Sequence, residues 1–247
     1  MWICPACQLP LSLLDRTWRC DSGHAYDQAK EGYVNLVLAQ QKHSKEPGDN
    51  KQMVNARRAF LEQNHYQPLA KVLADLIVEY QALADVRLFD AGCGEGYYLN
   101  AISQSLRDKK NSIHTSGIDI SKFAVQKAAK KFPASNFAVA SSFNLPLASN
   151  SEDSVIQVFA PSSAQEVHRV LSDKGIWIQV SPGPQHLIEL KQHVYDEPQE
   201  HKPPGDITDG FNLLNERSLT FGIELEDQQQ RKDLLMMTPF YWSARQD

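Results

Sequence analysis

Four side chains near the start of the chain have the spacing of a metal site: Cys4-x2-Cys7-x12-Cys20-x3-His24. The two-residue gap lets the Cys4 and Cys7 thiolates of one turn face a single ion. Cys20 and His24 then close a tetrahedron of three sulfurs and one nitrogen. Soft ligands and a complete coordination sphere favour zinc in a structural role, with no position left for water. Disulfides are the rival reading. Against them stand an odd set of three cysteines, a histidine at ligand spacing, and a start, MWICPACQ, without the basic-then-apolar pattern of a secretory leader.

A second constellation is D-x-G-x-G-x-G at Asp90, Gly92, Gly94 and Gly96. A short apolar run, Val86 to Phe89, enters this turn and a helical pattern leaves it, so backbone N–H groups can approach a ligand closely. A dinucleotide fingerprint needs G-x-G-x-x-G, but counting from Gly92 and Gly94 the third glycine would fall on Tyr97. The spacing instead resembles the first motif of S-adenosylmethionine-dependent methyltransferases. IHTSGIDIS reads as a second strand ending in Asp119, 23 residues beyond Gly96, where a carboxylate can accept hydrogen bonds from both ribose hydroxyls. Cys93 reads as a small buried thiol rather than a nucleophile.

These residues need elements to carry them. From residue 66, Leu69, Leu73, Leu76, Ile77 and Tyr80 recur at helical spacing, with Pro68 near the first turn. After the glycine turn the pattern predicts a helix over 122–132, a strand over 136–141, a buried strand over 154–160, a helix over 163–172 stopped near Gly175, and a strand over 176–181. Such alternation implies a parallel sheet with the ligand at the carboxyl ends of its strands, which hold Asp90, Asp119, Ser141, Ala160 with Pro161, and Ser181 with Pro182. The expected fold is therefore α/β, a doubly wound Rossmann-like domain over residues 66–247 with a small zinc-binding lobe over 1–43. Residues 44–65 form a connecting loop, KHSKEPGDN in part, and a helix. The lobe has too little core to fold without its metal, and is expected to be separable from the body.

The 247 residues are 42% hydrophobic and 22% charged, which excludes a disordered chain or a coiled-coil rod. No apolar run approaches the roughly 20 residues that span a bilayer, and the expected setting is the cytoplasm. The net charge of −5 disfavours a broad polyanion-binding surface. It is unevenly spread: residues 1–60 hold eight Lys or Arg against six acids, and the remainder 17 against 24. A polyanion should meet the N-terminal part first. On the predicted helix near residue 57, Met53, Ala56, Phe60 and Leu61 share one face. Arg57 and Arg58 lie on the other, available to solvent or to phosphate.

Taken in order, the zinc lobe, KEGYVNL, PGD, ARRAFL, HYQPL, DAGCGEGYY, IDISK, FAP, PGPQHL and MTPF resemble the large-subunit ribosomal RNA guanine-N1-methyltransferases of the RlmA type along essentially the whole chain. The resemblance implies methyl transfer from S-adenosylmethionine to guanine N1 in a hairpin loop of 23S rRNA, with the zinc lobe helping to recognise RNA. It also leaves a homodimer open. Cys4, Cys7, Cys20 and His24 match the zinc ligands. Tyr66, Asp90, Gly92, Tyr98, Leu99, Asp119 and His186 match positions expected to line the cofactor, beside Cys93, Gly94 and Gly96 of the turn itself. In the family the chain continues past MTPFYWSA through another helix and strand, so a truncated C-terminus is expected here, and residues 198–210 should be a mobile loop by the site.

Methyl transfer from a sulfonium expels a neutral leaving group, so the protein has mainly to align donor and acceptor and exclude water. Guanine N1 must also lose a proton. The sequence does not identify the base, although His186 and Glu189 lie near a strand end. Tyr97, Phe159 or Tyr195 could stack on a base turned out of its helix. Two alternatives share parts of the pattern. A small-molecule methyltransferase would need no zinc lobe, and an inactive zinc-dependent RNA-binding module would need no intact glycine turn.

Overall fold

The computed structural model describes residues 2–38, 47–195, 197, 199–201, 205 and 209–243. Much of KHSKEPGDN and of the expected 198–210 loop lies outside them. The N-terminal lobe is a meander of three short antiparallel strands, β1 (Ser12–Leu14), β2 (Thr17–Arg19) and β3 (Ala25–Asp27), with Trp18 opposite Leu13 on one side and Tyr26 on the other. β4 (Val34–Asn35) leaves the lobe and joins the main sheet beside a later strand.

Two helices follow. α1 (Lys51–Leu61) begins where the Asn50 side chain accepts the N–H groups of Gln52 and Met53 at 2.9 and 3.0 Å, and buries Met53, Val54, Ala56, Phe60 and Leu61. α2 (Gln67–Tyr80) starts with Pro68 in its first turn, where a missing N–H costs nothing. The alternation then runs β5 (Asp85–Ala91), α3 (Tyr97–Leu106), β6 (Ser112–Asp119), α4 (Lys122–Lys131), β7 (Asn136–Val139), β8 (Glu152–Val158), α5 (Ala164–Val170) and β9 (Leu171–Val180). α6 (Ile188–Val194), α7 (Gln228–Met236) and α8 (Pro239–Ser243) complete the described elements.

The main sheet is parallel in the order β4-β7-β6-β5-β8-β9. Successive strands move outward from β5 on one side, then resume at β8 on its other side. The carboxyl ends of β5 and β8 thus flank the point where strand order reverses, the usual ligand crevice of an open α/β sheet. β9 begins five residues earlier than the pattern suggested, and α5 ends before Leu171. Leu171 is buried and pairs with Glu152, and the next pairing is Ser154 with Ile176, so residues 172–175 bulge. Gly175 is pressed onto Leu171 there, where a Cβ would lie 2.7 Å from its Cδ2.

The two sheet faces carry different cores. Val86 and Leu88 of β5 point toward α1, α2, α3 and α4, joining Phe60, Leu73, Ile77, Leu99, Ile102 and Val125. Phe89 and Ala91 point the other way, into a cluster with Val167 and Val170 of α5 and with Trp2, Cys4, Leu11 and Cys20 of the lobe. The lobe thus packs directly on the sheet of the body. The β7–β8 connection contains no helix, and the lobe lies in the space a crossover helix would fill. It is pinned by Ile3 N–H to the Pro146 carbonyl at 2.9 Å and Leu36 N–H to Val139 at 2.9 Å.

Candidate functional site

At the carboxyl end of β5 the chain turns through Gly92, Gly94 and Gly96, all with positive φ (100°, 55° and 85°), a conformation that glycine adopts at no steric cost. Each glycine has a different neighbour. A Cβ on Gly92 would fall 2.4 Å from the Ala160 Cβ, so this glycine lets the ends of β5 and β8 meet. A Cβ on Gly96 would press on Phe132 at 3.0 Å. A Cβ on Gly94 would meet nothing within 4 Å, which leaves that side of the turn an open cradle. The Gly94 N–H donates to Asp119 Oδ2 at 3.0 Å and the Ser121 N–H to Asp119 Oδ1 at 2.7 Å, so the turn and the end of β6 are joined through one carboxylate.

Three acids crowd this point. Asp90 is 2% exposed and its Oδ1 has no hydrogen-bond partner among the described residues. Burial pushes its carboxyl well above the usual range, helped by the charges of Asp119 and Glu95. Asp119 and Glu95 are raised by burial as well. An orphaned buried carboxylate oxygen beside an open glycine cradle fits a ligand with hydroxyl or ammonium donors, as S-adenosylmethionine has. Cys93 is packed inside, its Sγ 3.1 Å from where a Cβ on Gly117 would stand, and Leu99 is wholly buried next to it.

Beyond Ala160 lies a second group. The Tyr66 hydroxyl and His186 Nε2 are 3.1 Å apart. Phe159, at φ +53° and 42% exposed, stacks on His186 with centroids 5.3 Å apart and meets Tyr66 edge-on at 6.4 Å. Burial lifts the Tyr66 hydroxyl to about 12, and burial with the charges of His201 and Lys191 lowers His186 to about 4. Both are therefore neutral at ordinary pH. Tyr98, in the first turn of α3 just past the glycine turn, is raised by burial and then by Tyr66 and Tyr97. A cavity of about 2610 Å³ runs along β9 and reaches Tyr66, Phe159 and His186, but the glycine turn does not line it.

The structure also assembles a set that the sequence reading missed. Arg57 does not stand on the outer face of α1: it pairs with Asp49 and donates to the Met237 carbonyl at 3.1 Å. Arg58 stays on the surface, bound to Glu62 at 2.8 Å. The signal was P-G-D itself. Gly48 has φ +79° and no room for a Cβ against Ile120 and the Ser121 backbone, so this loop must lie on the end of β6.

In the lobe, the ligand atoms of Cys4, Cys7, Cys20 and His24 lie within 4.8 Å of one another. Two tight turns present them, Cys4 to Gln8 and Cys20 to His24, the second using Gly23 at φ +83°. Burial raises the Cys4 thiol, but hydrogen bonds from Tyr26 and the backbone of Ala6 and Cys7 outweigh it and bring it down to about 6. Three sulfurs and one imidazole nitrogen converging with no fourth thiol nearby are a complete tetrahedral donor set for zinc.

Comparison with known proteins agrees with both halves. Residues 2–45 match the RlmA N-terminal zinc-ribbon family and residues 83–236 a methyltransferase domain family. A Streptomyces fradiae protein named 23S rRNA (guanine(748)-N(1))-methyltransferase is 36% identical over 76% of this chain and 65% of its own length, so the chain spans just under two thirds of that relative. A Bacillus subtilis (strain 168) protein, YxjB, provisionally named a 23S rRNA (guanine-N(1)-)-methyltransferase, is 32% identical over 100% of this chain and 89% of its own. A Micromonospora griseorubida protein with the same provisional name is 34% identical over 76% and 67%. With the zinc ribbon laid on a methyltransferase sheet and relatives aligned across both, this chain belongs to the RlmA-type family of 23S rRNA guanine-N1-methyltransferases.

Proposed function

We propose that this protein transfers a methyl group from S-adenosylmethionine to N1 of a guanine in a hairpin loop of 23S rRNA. The observation that carries the reading is the open cradle at Gly94, tied by its N–H to Asp119, in the same chain as a complete Cys3His set. We divide the chain into an RNA-recognition lobe (1–43), a connector (44–65) and a methyltransferase body (66–247). The protein works in the cytoplasm, where ribosomes are assembled; no described helix is long and apolar enough to cross a membrane.

When bound, S-adenosylmethionine supplies an electrophilic methyl on a sulfonium with a neutral leaving group. Gly92, Gly94 and Gly96 would let the backbone approach it, Asp119 would accept ribose hydroxyls, and Asp90 would offer its orphaned oxygen to a donor of the cofactor. Tyr66, Tyr98 and His186 wall the cofactor as hydrogen-bonding groups. Cys93 and Leu99 support the turn from within. Since burial makes His186 a weak base and its Nε2 is engaged with Tyr66, its part is orientation rather than removal of the guanine proton. Phe159 offers its exposed ring as the platform on which the extruded guanine stacks, against a base–aromatic gain of about 1–3 kcal/mol. The basic residues of the lobe meet RNA phosphates.

The test is incubation with labelled S-adenosylmethionine and a 23S hairpin transcript, followed by reverse transcription. Methylation at N1 removes the pairing proton and should stop extension at one guanine. Asp119→Ala should weaken cofactor binding by about 1.5–3 kcal/mol, the range for hydrogen bonds to a charged group. Label on metabolites but not on the transcript would replace this reading with a small-molecule methyltransferase, and hairpin binding without cofactor binding would leave an RNA-binding module.

A further inference from the structure

The Arg57–Asp49 pair lies at the junction of three segments that no chemistry above has used. Asp49 follows Gly48, whose backbone abuts Ser121. The Asp49 carbonyl accepts the Ser121 hydroxyl at 2.7 Å, and the Ser121 N–H in turn holds Asp119. On its other side Arg57 holds the Met237 carbonyl, just beyond α7. A continuous chain of hydrogen bonds therefore runs from Met237 through Arg57, Asp49 and Ser121 to Asp119, and from Asp119 to the Gly94 N–H.

We propose that Arg57 is a positioning residue for the cofactor: by bridging Asp49 to the Met237 carbonyl it holds the Asp49 loop on Ser121 and so fixes the Asp119 carboxylate. This rests on reading the glycine turn and Asp119 as the S-adenosylmethionine cradle. Two further observations favour it. A guanidinium has a planar fork able to satisfy two acceptors at once, which a lysine cannot reproduce. Arg57 also places a positive charge among Asp49, Glu95 and Asp119, acids that would otherwise repel one another as their water is removed. Its partner in sequence, Arg58, has none of these contacts and pairs with Glu62, which Lys131 also reaches at 2.5 Å. The two adjacent arginines thus divide the work between pocket and surface.

The experiment titrates S-adenosylhomocysteine into the full chain by calorimetry, and in parallel measures binding of a fluorescent 23S hairpin. Arg57→Gln should raise the Kd for S-adenosylhomocysteine about tenfold and leave hairpin affinity within twofold, with Arg57→Lys recovering only part of the loss. Arg58→Gln should change cofactor affinity less than twofold. Val54→Ala, which weakens the same helix without cutting the hydrogen-bond chain, separates positioning from mere stability. A Kd raised as much by Val54→Ala as by Arg57→Gln overturns the proposal, as does an Arg57→Gln protein that loses hairpin affinity with cofactor affinity intact. If the unaltered protein fails to bind S-adenosylhomocysteine, the cradle reading itself falls; if it binds and Arg57→Gln binds equally well, only the role of Arg57 does.

Discussion

The two faces of the central sheet are covered by different means. On one, α1 to α4 lay amphipathic stripes over Val86, Leu88, Phe137 and Ile156, and their packing needs only apolar periodicity. On the other, α5 covers part of the sheet and the β7–β8 connection supplies no helix. Trp2, Leu11 and Leu36 complete the cover there, from a lobe whose three strands are too short to hold a core of their own. A helix is stabilised by its own backbone hydrogen bonds. A lobe this small is expected to draw much of its stability from its metal. The face of the methyltransferase sheet that it covers should therefore respond to zinc removal, and the helical face should not.

Removing zinc is the strongest way to break this contrast. Structural zinc sites contribute an apparent 10–16 kcal/mol or so in isolated fingers, comparable with the roughly 5–15 kcal/mol net stability of a whole domain. Chelation, or Cys20→Ser, should therefore do more than loosen the lobe. If about 5 kcal/mol reaches the sheet, the thermal midpoint should fall by roughly 10–20 °C for a chain of this size, and amide exchange should accelerate at Phe89 and Ala91 in the middle of the molecule. Unchanged protection of those amides in metal-stripped protein would mean that the lobe is an ornament on an independent body.

A finer comparison uses neighbours in sequence. Leu88 and Phe89 are both fully buried, one residue apart, on opposite faces of β5. Truncating either to Ala should cost about 2–5 kcal/mol through lost transfer and a cavity, read by denaturant unfolding. Only Phe89→Ala removes the surface against which the lobe packs, so only it should speed zinc release to a chromogenic chelator. Equal release rates in the two variants would place the lobe's support outside the Phe89 cluster.

What could be read without coordinates follows the same divide between local and long-range order. Cys4, Cys7, Cys20 and His24 are legible because short turns dictate ligand spacing, and Asp90 to Gly96 because a strand must hand over to a helix through residues that tolerate positive φ. The α/β alternation was readable from periodicity, and so was the buried stripe of α1. Three features were not. Gly92 meets Ala160 across 68 positions of sequence, Arg57 turns inward because Asp49 and Met237 happen to converge there, and the lobe covers Phe89 because a later connection lacks a helix. Each depends on where another segment arrives, and a helical wheel places Arg57 and Arg58 together while their partners pull them apart.

The smallest expected effect lies on the helical face, where charge pairs add to packing without deciding it. Glu62, at the end of α1, joins Arg58 at 2.8 Å to Lys131 of α4 at 2.5 Å. Lys131 and Arg58 hold its carboxyl below the usual glutamate value. A folded-state pKa that is depressed gives stability that is present above the unfolded value, near 4.3, and is lost as pH falls through the lower folded value. The group is 41% exposed, so solvent screens it, and Glu62→Gln should cost no more than about 1 kcal/mol at neutral pH. The cost should shrink further in high salt and vanish when the comparison is made below the folded pKa, where the wild-type carboxyl is itself neutral. Denaturant midpoints at pH 7 and at a pH below the Glu62 midpoint found by NMR titration, each at low and high salt, measure this. A loss of several kcal/mol at pH 7 would show that the Arg58–Glu62–Lys131 contact holds α1 against α4 and that the helical face, like the zinc face, depends on a keystone.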